Sequence, residues 1–181
     1  MRSLVIFSLL MAFSPVLAPA DEEKEASKET PPGKEAPEPV VKEDTVTIAG
    51  KKIPYRVTAA KLQLKKDDGT PRASIFHISY ERLGKDIAPD SRPVVFAFNG
   101  GPGSSSVWLH LGGLGPRIVP TSKDGTTALA PPQRVIENAH SILDVADLVF
   151  IDPVSTGYSR AEDETKPAEF HGLQGDIESV G

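Results

Sequence analysis

The stretch from Pro93 to Ser106 constrains the fold more than any other part of the chain. Pro93–Phe98 is an apolar run rich in β-branched and aromatic residues, the composition of a buried strand. It breaks at Asn99 into Gly100, Gly101, Pro102 and Gly103, so the strand has to end there in a tight turn. Glycine takes positive φ without strain and puts no Cβ over the backbone. Successive exposed N–H groups in such a turn form a small concave site for an anion. In a hydrolase they stabilise the oxyanion that develops when a carbonyl is attacked, each donor contributing about 2.7–4 kcal/mol. A plain strand-to-helix connection that binds nothing uses the same residues, so the stretch by itself leaves both readings open.

A second switch of the same kind follows at Ala146–Ile151, whose apolar run ends at Asp152-Pro153 and enters the loop Val154–Arg160. Two buried strands, each ending in a glycine-containing loop, predict a mainly parallel α/β sheet with a ligand crevice at the strand carboxyl ends. The chain ahead of them reads as antiparallel β. Val46 and Ile48, then Ile53, Tyr55 and Val57, alternate on either side of Ala49-Gly50-Lys51-Lys52, as in a hairpin. Asp67–Pro71 is a turn, and Arg72–Glu81 a further strand that carries His77 as a structural residue. Ser104–Leu111 predicts a short helix packed through Val107, Trp108 and Leu111. Lys166–Gly181 predicts another, with Leu173, Ile177 and Val180 on one apolar face.

The amino-terminal part reads differently. Arg2, the apolar Leu4–Phe13 and Ala18-Pro19-Ala20 have the order of a secretory signal peptide over residues 1–20, cleaved after Ala20. Residues 21–44 form a Pro-, Glu- and Lys-rich linker whose nine acids and four lysines account for the whole formal charge of −5. Without aromatic residues it lacks the apolar surface to offset the entropy of ordering it. The folded domain is then residues 45–181, and the protein is expected to be exported, periplasmic or extracellular, with no stable membrane insertion after cleavage. No basic stripe suggests nucleic acid. The absence of cysteine excludes disulfides, a thiol nucleophile and a cysteine zinc site.

In order and spacing, Asn99–Ser106, Gly115-Pro116 and Asp147–Ser159 resemble the serine carboxypeptidase family of α/β-hydrolases. The first and last are similar to that family's Asn-Gly-Gly-Pro-Gly-Cys-Ser-Ser and Phe-Leu-Asp-Gln-Pro-Val-Gly-Thr-Gly-Phe-Ser boxes. The resemblance covers about Thr45 to Gly181. It implies the amino-terminal part of an α/β-hydrolase fold: an antiparallel β start, then parallel strands with crossing helices, incomplete. It also implies that the Asn99 side chain and the Gly100 N–H hold the free carboxylate of a peptide C-terminus. The Gly101 N–H would be one oxyanion donor. The substrate would be a peptide with a free C-terminus, with no metal or other cofactor. Two departures are small: Ala97 stands where the family commonly has tryptophan, and Ser104 where it has a disulfide-forming cysteine.

One departure is large. No Gly-x-Ser-x-Gly elbow occurs in the sequence. Ser104, Ser105, Ser106, Ser155 and Ser159 belong to the two boxes, and Asp152 corresponds to a structural loop aspartate. His110 lacks an acidic partner in sequence, and His140 and His171 match no family histidine. The residues therefore read as the amino-terminal part of a longer, secreted carboxypeptidase working through an acyl-enzyme, inactive without its serine, aspartate and histidine. A non-catalytic half-domain binding peptide C-termini and an acyltransferase of the same fold are the alternatives. An aminopeptidase fits the second box poorly.

Overall fold

In the computed structural model the described residues are 37–85, 87, 88, 91–99, 103–122, 124, 125, 129–163 and 166–180. The expected signal peptide, most of the expected linker, and Gly100 and Gly101 lie outside them. Among the described residues the main sheet contains β1 (Val40–Ile48), β2 (Lys51–Lys65), β3 (Pro71–Arg82), β4 (Val94–Ala97), β7 (Asp147–Ile151) and β8 (Arg160–Ala161). Two short strands, β5 (Arg117–Ile118) and β6 (Ile136–Glu137), pair with each other.

The hairpin expected around Ala49-Gly50 forms, and the turn explains its register. Ala49 and Gly50 both have positive φ, 48° and 78°, the geometry that matches strand twist in a two-residue hairpin loop. Ile48 therefore pairs with Lys51, and pairing continues out to Val40 and Ala59. β1 thus takes in Val40–Asp44, which composition had assigned to the linker. Their side chains are mostly exposed; it is the backbone ladder that orders them.

The strand order is β1-β2-β3-β7-β4, with β8 continuing along the edge of β3 beside β7. β4 and β7 are parallel, and the other pairings of this sheet are antiparallel. A mixed sheet, mostly antiparallel, thus replaces the mainly parallel one expected. The long β2–β3 hairpin dominates, because local antiparallel pairing needs no crossover.

Side-chain alternation divides the core between the two faces of the sheet. Val46, Ile48, Ile53, Tyr55, Tyr80, Leu148, Phe150 and Ala97 point to one face, where Leu143, Leu109 and Leu114 cover them. Ala73 and Ile75 point to the other, under Val154, Ala161 and Phe170. β4 lies at the sheet edge, and its second face stays open: Val94 is 49% and Phe96 62% exposed. The buried strand expected over Pro93–Phe98 is therefore buried through Ala97 and partly Val95.

The helices also differ from expectation. α1 (Val107–Leu109) runs directly into a π turn, His110–Leu114, and packs through Leu109 and Leu114 while Trp108 is 71% exposed. In α2 (Leu173–Val180) the buried residues are Gly175 and Ser179, whereas Leu173 and Ile177 are exposed. The reason is close approach. A Cβ at Gly175 would stand 2.5 Å from the Glu169 carbonyl oxygen, so the helix seats on its small residues and turns its apolar ones outward.

The π turn carries His110 into the first core. Its Nε2 lies 2.6 Å from the Tyr80 hydroxyl, and its ring is 4.6 Å from that of Phe150. Gly115 makes this fit possible, since a Cβ there would be 2.5 Å from the His110 carbonyl oxygen and 2.9 Å from its ring. Asn138 secures the same turn, its Nδ2 donating to the Gly113 and Gly115 carbonyls at 2.7 and 2.8 Å. Burial pushes the His110 pKa down to about 4 from 6.5, against a smaller opposing pull from Asp152. It also raises that of Tyr80, so the neutral ring accepts and the phenol donates.

Between about pH 6.5 and 4 the unfolded chain binds a proton at His110 that the folded chain does not. Stability therefore falls as pH drops through that window, by on the order of 3 kcal/mol. His110→Gln retains an acceptor for Tyr80, and urea titrations at pH 7 and pH 4 are expected to show this loss reduced by about that amount.

Candidate functional site

Because β4 and β7 are parallel neighbours, the segments that follow them leave the sheet on the same side, where α/β sheets bind ligands. Arg92 helps to fix the start of this pair. Its Nε donates to Asp147 Oδ1 at 2.8 Å and its guanidinium to the Leu143 carbonyl at 2.7 Å. Both are among the better-shielded charges of the domain, 12% and 20% exposed.

Asp152, the first residue after β7, joins the two glycine-containing loops. Its Oδ1 accepts from the backbone N–H and from the hydroxyl of Ser106, each at 2.9 Å. Its Oδ2 accepts more weakly from the Tyr158 N–H at 3.4 Å, and the residue is 5% exposed. A carboxylate buried to this degree needs such donors, because losing its hydration without them is costly. Both oxygens are engaged in holding the loops. Asp152 is structural here, as the sequence indicated.

Ser159 closes the neck of the second loop. Its hydroxyl accepts from the Phe76 N–H at 2.7 Å and donates to the Asp152 carbonyl at 2.6 Å. The Phe76 carbonyl in turn accepts from the Asp152 N–H at 3.0 Å. The chain thus leaves β3 after β7 and rejoins it at β8, with one fully buried serine spanning the gap. Sequence reading assigned Ser106 and Ser159 to the boxes without a role. Their signal was the small, polar side chain between an apolar strand and a glycine, and their partners are distant in sequence. Gly157, at φ 45°, completes the arrangement: a Cβ would lie 1.7 Å from Asp152 Oδ2.

The loops face a cavity of about 720 Å³. Phe98, Asn99, Gly103 and Ser104 contribute from the β4 side, and Pro153–Thr156 from the β7 side. His171, Asp176, Ile177 and Val180 form the remaining wall. Asn99 is half-buried at its edge. Gly100 and Gly101, the other expected site residues, lie outside the described residues, as does Pro102. Ser155 and His171 meet on the wall, with Nε2 3.0 Å from Oγ. His77 remains in β3, opposite Ile151, where burial lowers its pKa. His140 lies in a turn, its N–H donating to Asn138 Oδ1. Among the described residues no group of three metal-ligating side chains occurs, and no helix is long and apolar enough to cross a membrane.

A mixed sheet with few helices, whose parallel strands end in loops around one cavity, is consistent with part of an α/β-hydrolase. The model of the serine carboxypeptidase family matches residues 67–173, more than half of the 181-residue chain. The chain belongs to that family, and the match includes both loops that Asp152 joins. Membership of a peptidase family implies peptide substrates. No curated protein matches the chain.

Asp152→Ala removes two good acceptor contacts and leaves the Ser106 N–H buried without a partner, at an expected cost of about 3 kcal/mol. Gly157→Ala drives a methyl group into the same carboxylate and is expected to destabilise by a similar order. Because both act on one contact, the double variant should cost clearly less than the sum of the two. Chemical denaturation of the three variants measures this; simple additivity would show that the loops are held independently.

Proposed function

We propose that the chain supplies the substrate-carboxylate and oxyanion loop of an exported serine carboxypeptidase, which releases C-terminal residues from peptides through an acyl-enzyme. In this reading the Asn99 side chain and the Gly100 N–H bind the terminal carboxylate, and the Gly101 N–H donates to the oxyanion. The observation that carries it is the cavity at the carboxyl ends of β4 and β7, with Asn99 on its edge and residues of both family boxes in its walls. Its apolar side, formed by Phe98, Val154 and Ile177, suits a side chain next to that carboxylate. The sequence has no Gly-x-Ser-x-Gly elbow, so in this reading the family's nucleophile is assigned to no residue of 1–181. That absence also favours a second reading, in which the chain binds peptide C-termini without cleaving them.

Calorimetric titration with a short peptide bearing a free carboxylate, and with its C-terminal amide, tests the shared binding step. A hydrogen bond to a charged group is worth about 1.5–3 kcal/mol, so the amide is expected to bind about 10- to 150-fold more weakly. Asn99→Ala should remove most of the difference. Equal affinity for acid and amide rules the carboxylate site out.

Export is proposed on the basis of Arg2, Leu4–Phe13 and Ala18-Pro19-Ala20. Amino-terminal sequencing of protein recovered from outside the producing cell is expected to begin at Asp21; an intact Met1 there counts against cleavage.

A further inference from the structure

Ser155 and His171 were set aside by sequence, the first as a loop residue and the second as a histidine without a family counterpart. The fold brings them within hydrogen-bonding distance, His171 Nε2 to Ser155 Oγ at 3.0 Å. Both are exposed, and both line the 720 Å³ cavity. Ser155 also has φ 71°. For a residue other than glycine this region is strained, by on the order of 1–2 kcal/mol, and strain of this kind persists where the surrounding structure over-determines it. Here the following residue does so: the Thr156 N–H and hydroxyl both donate to the Pro153 carbonyl, at 3.0 and 2.8 Å. A rigid, strained turn just past the carboxyl end of a buried strand thus presents a serine hydroxyl to a histidine and to an open cavity. The adjoining wall is apolar, built from Phe98, Val154 and Ile177.

We propose that Ser155 is an acylatable nucleophile with His171 as its general base, acting on activated carboxylic esters that have an apolar acyl group. With the His171 proton on Nδ1, Nε2 takes the hydroxyl proton as Oγ bonds to the ester carbonyl carbon. The resulting tetrahedral adduct collapses, the carbon–oxygen bond to the leaving group breaks, and the alkoxide or phenoxide departs with the proton from His171. Water then attacks the acyl-serine, His171 takes its proton, the acid leaves, and Ser155 regains its hydrogen. Among the described residues no carboxylate bonds to the His171 ring, so the pair is a dyad. Loss of the orienting carboxylate from a Ser-His-Asp triad lowers turnover by about 10⁴. Both steps are slowed, but the good phenolate leaving group of an activated ester makes acylation faster than hydrolysis of the acyl-serine, so a burst followed by slow release is expected.

The inference goes beyond the carboxypeptidase reading and is tested apart from it, since a simple ester has no terminal carboxylate for Asn99 to bind. The full chain is mixed with p-nitrophenyl butyrate, p-nitrophenolate release is followed by absorbance, and the labelled residue is located by peptide mass mapping. The expected result is a burst approaching one equivalent, with butyryl on Ser155. Ser155→Gly, which relieves the backbone strain and so preserves the fold, should abolish both. His171→Gln should slow acylation by at least about 100-fold, with thermal melting unchanged. Absence of a burst, butyryl on another residue, or acylation of His171→Gln at the wild-type rate each overturns the proposal.

Discussion

The geometry of the candidate site rests on one buried carboxylate. Asp152 lies where β7 ends, and its side chain reaches across to the backbone and hydroxyl of Ser106 in the loop after β4. Beneath this link, the strands that carry the two loops pair in parallel over only four residue pairs. A carboxyl group is strongly desolvated at 5% exposure and is stable there only with hydrogen-bond partners supplied by the fold. The interaction is therefore specific: it requires Ser106 on one side, Gly157 on the other, and the neck between β7 and β8 closed by Ser159.

The scaffold under these loops is largely independent of them. The hairpins β1–β2 and β2–β3 form by local antiparallel pairing, and alternation of their side chains distributes apolar groups to both faces. β7 then pairs along β3, and β4 along β7, so the short parallel element is built on an antiparallel base. This order places the two cavity-lining loops at one end of the sheet. His110 belongs to the scaffold: enclosed by Tyr80 and Phe150, it is a buried neutral histidine that answers to packing.

Much of this arrangement was legible in residue order. Ala49-Gly50 announced the first hairpin, Leu148–Ile151 a buried strand, and the two glycine-containing boxes a family whose model matches the chain. What misled was apolar content without its partner surface. Trp108, Phe96 and Leu173 are all apolar and all exposed. Periodicity reports which residues share a face, but α2 seats on Gly175 and Ser179 because small residues permit the closer approach. Likewise, two apolar strands implied a mainly parallel sheet; those two do pair in parallel, but the strands they join, far away in sequence, are antiparallel.

By itself the sequence determined the strand-to-glycine breaks, the first hairpin turn and the family, because these depend on backbone freedom and local order, which residue type dictates directly. The tertiary structure alone decided that Asp152 would hold Ser106 across 46 positions, that His110 would be buried against Tyr80, and that Ser155 would meet His171. Each of those contacts joins residues on different elements. Distances between them are set by the register and closure of the sheet, which no local pattern of side chains contains.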